Sequence, residues 1–154
     1  MHEESARSAR IVVGVDGSPA SRAALRWAVR QAELTGAAVD AVIAWQYPVG
    51  YGSPSAVVPD FDFARNARQG LAETVAEATA GAPQVEVRQQ VVQDHPAAAL
   101  LDAAATADLL VLGNRGHGGF TEALLGSVSQ HCVHHARCPV VVVRAAEPEP
   151  RSGP

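Results

Sequence analysis

The residues best placed to do chemistry lie between Gly113 and Ser127, in the stretch "GNRGHGGFTEALLGS", which holds five of the chain's 13 glycines. Glycine is costly in regular structure, so such a cluster marks backbone that side chains would obstruct. A wholly apolar run, "LLVL", precedes it, and helix-like sequence follows. Strand, glycine loop, then helix is the general geometry that holds an anion on main-chain N–H groups. Gly113 and Gly116 would let phosphates approach the backbone, Ser127 would add a hydroxyl, and Arg115 a charge. The same glycines would also serve a turn that holds nothing, and the residues alone leave both readings open. The spacing excludes two familiar phosphate loops. No Gly-Lys-Ser/Thr ends the stretch, as a Walker A loop requires, and "GVDGSPAS" lacks the three glycines of a dinucleotide fingerprint.

Three other groups invite chemical readings. Asp16 ends the first apolar run, where it either contacts a ligand or caps the turn before a helix. A phosphoacceptor aspartate would need a further acid beside it and another ending the third strand, but Gly17 follows and that strand ends "VVQ". His131, Cys132, His134, His135 and Cys138 resemble a metal cluster. His131 and His135 share a helical face, but Cys132 points away from them, and a closed zinc site needs four convergent ligands. These histidines fit a polar helix end better, where they complement the dipole. Arg22, Arg26 and Arg30 form a stripe at four-residue spacing, which suits a solvated face. No base for a Ser127 nucleophile is evident from spacing, because triads assemble in space.

The elements that position these residues alternate. "RIVVGVD" (Arg10 to Asp16) is a β-rich apolar run. Ser18 and Pro19 open a helix to Thr35, and Gly36 stops it. Ala37 to Trp45 is a second strand. Gln46 to Asp60 is a long Pro-, Gly- and Ser-rich loop of the kind that is often functional. A helix from about Phe61 to Ala80 leads to an alternating strand, Gln84 to Val92, expected near a sheet edge. His95 and Pro96 open a helix to Thr106, Asp108 to Gly113 forms a fourth strand, about Thr121 to Ala136 is helical, and Cys138 to Arg144 is the last strand. The order βαβαβαβαβ implies an α/β fold: an open five-stranded parallel sheet with helices on both faces. Ligands in such sheets sit beyond the strands' carboxyl ends, where the strand order reverses. With order 3-2-1-4-5, that point lies between Asp16 and Gly113.

Bulk properties narrow the partners. The 154 residues suit one domain, residues 10–144, between flexible tails 1–9 and 145–154. The net charge of −4 argues against nucleic acid. No apolar run is long enough to cross a bilayer. The start has no signal-peptide character, and two cysteines fit reduced thiols, so a cytoplasmic location is expected.

The glycine stretch followed by "HHARCPVVVVR" resembles the C-terminal signature of the universal stress protein family. Its nucleotide-binding members carry Gly, two residues, Gly, nine residues, then Gly and Ser or Thr. Gly113, Gly116, Gly126 and Ser127 match each position. "IVVGVDGSPASRAALRWAVRQAELTGA", "AVIAW" and "HPAAALLDAA" match as well, so the resemblance spans about Arg10 to Arg144. Asn114 replaces a common serine and Ile43 a common histidine. The resemblance implies a Rossmann-like fold of the adenine nucleotide alpha hydrolase type, with ATP and Mg²⁺ beside the motif. Asp16 would hold the ribose or adenosine end, and the Ala44 backbone would line the adenine pocket. Gly113, Gly116, Gly126, Ser127 and the Val128 main chain would surround the phosphates. It further implies a nucleotide-responsive regulator of stress or dormancy, dimeric through the last strand, with an unidentified signalling partner and at most slow ATP hydrolysis. A true ATPase or nucleotidyl- or phosphotransferase, and a ligand-free interaction protein, are the alternatives.

Overall fold

The computed structural model describes residues 9–46, 60–115 and 125–145, with side chains from residue 63 onward in the second segment. In chain order the elements are β1 (Arg10–Gly14), α1 (Pro19–Thr35), β2 (Ala38–Trp45), α2 (Asp60–Ala78), β3 (Val87–Gln93), α3 (Pro96–Ala104), β4 (Leu109–Gly113), α4 (Ser127–His135) and β5 (Val140–Val143). The strands form one parallel sheet in the order β3-β2-β1-β4-β5.

Alternating side chains divide the core into two layers. Ile11, Val13, Val39, Ala41 and Val111 face Ala24, Leu25 and Ala28 of α1 and Leu71 and Val75 of α2. Val12, Val42, Leu110 and Leu112 face Ala97, Leu100 and Ala104 of α3 and Cys132 of α4. Strands buried on both faces need apolar residues at nearly every position, which explains their continuous Val, Ile and Leu runs. Among the described residues, no helix is long and apolar enough to cross a membrane.

Asp40 breaks the apolar pattern of β2. Its side chain is only 2% exposed, and its Oδ2 accepts from Arg10 Nε at 2.7 Å. Arg10 also donates to the carbonyl and hydroxyl of Thr106 and to the Ala103 carbonyl. This residue pair ties the amino ends of β1 and β2 to the turn after α3.

Local chemistry sets the helix ends. Ser18 Oγ accepts from Ser21 N–H at 3.2 Å and caps α1, with Pro19 in its first turn. Gly36 closes it at φ 80°, a conformation that strains side-chain-bearing residues. Sequence patterning overextends several elements. β1 stops at Gly14, not Asp16, because the backbone turns through Gly17 at φ 83°. β3 starts at Val87, not Gln84, because tight turns link Ala82 to Thr79 and Val85 to Ala82. α3 ends at Ala104, with shorter-range bonds from Ala105 and Ala107 beyond it. α4 begins at Ser127, and the expected start near Thr121 lies outside the described residues. Gly126, its N-cap, is extended and donates to the Asn114 carbonyl at 2.7 Å, so the chain is tied to the end of β4 before it turns into helix.

Candidate functional site

The candidate site forms where β1 and β4 lie side by side. β1 leads into α1 on one face, while β4 leads toward α4 on the other. The departing chains diverge, and a crevice opens beyond the carboxyl ends of the two strands.

One wall is the turn after β1. Asp16 is exposed, and its Oδ1 accepts from Ser18 N–H at 2.9 Å. This Asx turn is the capping role foreseen for Asp16. A carboxylate has a second oxygen, so the turn role does not consume the group. Ser21 Oγ accepts from Asp16 N–H at 3.2 Å and donates to the Ser18 carbonyl at 3.1 Å. Arg22 donates to the Gly17 carbonyl at 3.1 Å, so this member of the arginine stripe braces the turn, whereas Arg26 and Arg30 are exposed.

The opposite wall joins β4 to α4. Asn114 N–H donates to the Val143 carbonyl at 2.8 Å. Ser129 Oγ donates to the Gly113 carbonyl at 2.6 Å. Ser18 Oγ reaches the Arg115 carbonyl at 3.5 Å and links the two walls. A Cβ on Gly113 would lie 2.7 Å from both the carbonyl carbon and Cβ of Ala20, and 2.9 Å from Ser21 N. Among the described atoms, the missing side chain of Gly113 therefore lets the first turn of α1 rest on the end of β4. Gly14 plays a similar part toward α3, since its Cβ would come within 2.9 Å of Leu100 Cδ1.

Between the walls is a cavity of about 320 Å³, within the usual range of small-molecule sites. Its lining includes Asp16, Ala44, Gly113, Arg115, Gly126, Ser127 and Val128, so seven of the eight expected site residues meet around one space. The eighth, Gly116, lies outside the described residues, as do Thr121 and most of the Gln46–Asp60 loop. Val42, Leu100 and Leu112 add an apolar surface, and Gly14, Ser21 and Ser129 also contribute. Sequence reasoning did not select these six. The glycine in "VVGVDG" was a weak signal for Gly14, whereas nothing local distinguishes Leu100 or Ser129 from ordinary helix residues.

The helix ends around the cavity differ electrostatically. The amino ends of α1 and α3 carry side-chain caps from Ser18 and His95. Among the described residues, α4 has no side-chain cap and no acid in its first turn. Helical geometry leaves the N–H groups of Ser127, Val128 and Ser129 without intrahelical acceptors. That end of the helix carries about half a positive charge and favours an anion. Asp16 is the one acid, and Arg115 the one base, among the described lining residues.

The histidine and cysteine residues of α4 separate to different sides. Cys132 is fully buried against the sheet, and burial pushes its thiol up to about 11. His131 and His135 are exposed, with ring centroids 4.5 Å apart. Among the described residues, no three His, Cys, Asp or Glu side chains converge to hold a metal ion. Both cysteines are free thiols.

The universal stress protein family model matches residues 8–144. A universal stress protein of Mycobacterium tuberculosis (strain H37Rv) is 41% identical over 141 residues, covering 88% of this chain and 45% of its own. The chain thus spans about half the length of that curated relative. Among solved structures, a universal stress protein from Lactobacillus plantarum is 26% identical with a TM-score of 0.64, covering 90% of this chain and 99% of its own. A universal stress protein in complex with cAMP is 27% identical with a TM-score of 0.58, covering 90% of this chain and 98% of its own.

Proposed function

We propose, from the premise that this chain belongs to the universal stress protein family, that it is an adenine-nucleotide-binding regulator of stress or dormancy. The observation that carries the proposal is the uncapped amino end of α4, which faces an apolar crevice at the strand-order reversal. The residues present fit a nucleotide in size and polarity. Val42, Leu100 and Leu112, with the Ala44 backbone, offer an apolar slot for a base. Asp16 offers a carboxylate oxygen to ribose hydroxyls. The N–H groups of Ser127 and Val128, the Ser127 hydroxyl and Arg115 offer donors and charge to phosphates. The cAMP bound by the related structure supports an adenine ligand.

ATP with Mg²⁺ is the ligand proposed for this chain, and the metal would enter with the triphosphate. Binding, not turnover, would be its main activity, with nucleotide occupancy as the signal. A cytoplasmic location and a dimer through β5 complete the proposal. β5 is at the sheet edge with four half-buried valines, and such an edge needs covering. Sedimentation as a monomer at micromolar concentration would remove the dimer.

Isothermal titration with ATP and Mg²⁺, AMP and cAMP tests the nucleotide reading. The companion variant is Gly126→Asp. Gly126 has φ −70° and ψ 166°, so the backbone tolerates a side chain there. The new carboxylate would cap α4 and occupy the N–H groups that phosphate needs. Binding should weaken by about tenfold or more, while the unfolding midpoint is held or raised. Absence of heat and of thermal shift with all three nucleotides would refute the reading.

A further inference from the structure

We propose that the groove between α3 and α4 is a second compartment of the nucleotide site, which takes a neutral sugar carried on the terminal phosphate of a nucleoside diphosphate. The inference rests on the nucleotide reading above and adds a ligand class to it. The groove has a volume of about 520 Å³. His95, Ala98, Leu101 and Asp102 line it from the α3 side, and Ser127 and His131 from α4.

Ser127 belongs to the walls of both cavities. It is the first residue of α4, at the helix end where phosphate charge is favoured. A phosphate chain that leaves the first cavity across Ser127 therefore enters the groove. The next turn of α4 places His131 on the same helical face, about 6 Å further along the axis. Its ring packs against that of His135.

The groove chemistry favours hydroxyls over further phosphate. His95 Nδ1 accepts from Ala97 N–H at 3.2 Å, so in the neutral ring the proton is on Nε2, which can donate. Asp102 is an acceptor in the same wall, about 10 Å from His95 along α3. Ala97, Ala98 and Leu101 provide an apolar surface between them. A sugar offers both complements, hydroxyls at its edge and C–H groups on its face. A longer polyphosphate would bring negative charge to Asp102, and among the described residues no lysine or arginine lines the groove to offset it.

Calorimetry on the full chain with ADP, ADP-ribose and ADP-glucose tests this. The blocking variant is Ala98→Trp, at an exposed position where a large side chain fills the groove without entering the core. The wild-type chain should bind one or both sugar conjugates about tenfold tighter than ADP. Ala98→Trp should abolish that preference and leave ADP binding unchanged. Asp102→Asn should weaken conjugate binding selectively. If ADP binds and the conjugates bind no tighter, or if their advantage survives Ala98→Trp, the groove proposal is overturned while the nucleotide reading stands. If neither ADP nor a conjugate binds while ATP, AMP or cAMP does, the groove proposal alone is overturned, and if none of these ligands binds, both are.

Discussion

Replacing Gly113 with alanine separates two reasons for a glycine at the end of β4. If it served only ligand approach, the ligand-free protein would not register the change. The geometry indicates otherwise. The added Cβ would lie 2.7 Å from two atoms of Ala20 and 2.9 Å from Ser21 N. Carbon contacts are comfortable at about 3.5–4.0 Å, so the overlap approaches an ångström. Two of the three atoms belong to the α1 backbone, and no rotamer change can move them. The first turn of α1 must lift from the sheet, carrying Ser18 and Ser21, which hold the Asp16 turn, and with Ser18 its contact to the Arg115 carbonyl. Overpacking of this kind costs about 1–3 kcal/mol. With a urea dependence of about 2 kcal/mol per molar, the midpoint should fall by about 1 M at the central value. Urea unfolding without nucleotide, followed by circular dichroism, measures it. A midpoint within about 0.3 M of wild type at unchanged slope would refute the reasoning.

Two further outcomes follow from buried groups elsewhere. Arg10→Met should destabilise the fold by about 3 kcal/mol, because among the described residues Asp40 is then left buried with only Arg88 Nη1 at 3.8 Å. Adding Asp40→Leu should recover most of that loss in the same urea assay, and a double variant no better than the single would sink the account. Cys132 gives a pH dependence. Its thiol is raised from 9.0 to about 11 by burial, so above pH 9 the unfolded chain loses this proton while the folded chain keeps it. Stability should therefore fall between pH 9 and 11, by up to about 2 kcal/mol. Cys132→Ala should show a shallower decline between pH 8 and 10.5, and parallel declines would exclude this origin.

The amino-acid sequence by itself determined the order of elements, the parallel sheet and the candidate crevice expected at its carboxyl end. These follow from short-range physics. Continuous apolar runs specify buried strands, Ser18 and Pro19 start α1, and Gly36 ends it. The glycine motif and the family resemblance also marked seven of the residues around the cavity. Tertiary structure decided what the marked residues do. Gly113 lines the cavity, but its missing side chain accommodates a helix whose first turn lies more than ninety positions earlier in the chain. Leu100 becomes a wall of the cavity because α3 packs on the sheet with the tip of this side chain over Gly14. Asp40, one polar residue in an apolar strand, acquires its meaning from Arg10 on the adjacent strand. Ser127 was visible as a hydroxyl that ends the glycine motif, but its position at the start of α4 and its place between two cavities depend on how α3 and α4 pack. Spacing along the chain records local geometry, whereas these contacts depend on the sheet bringing distant segments together.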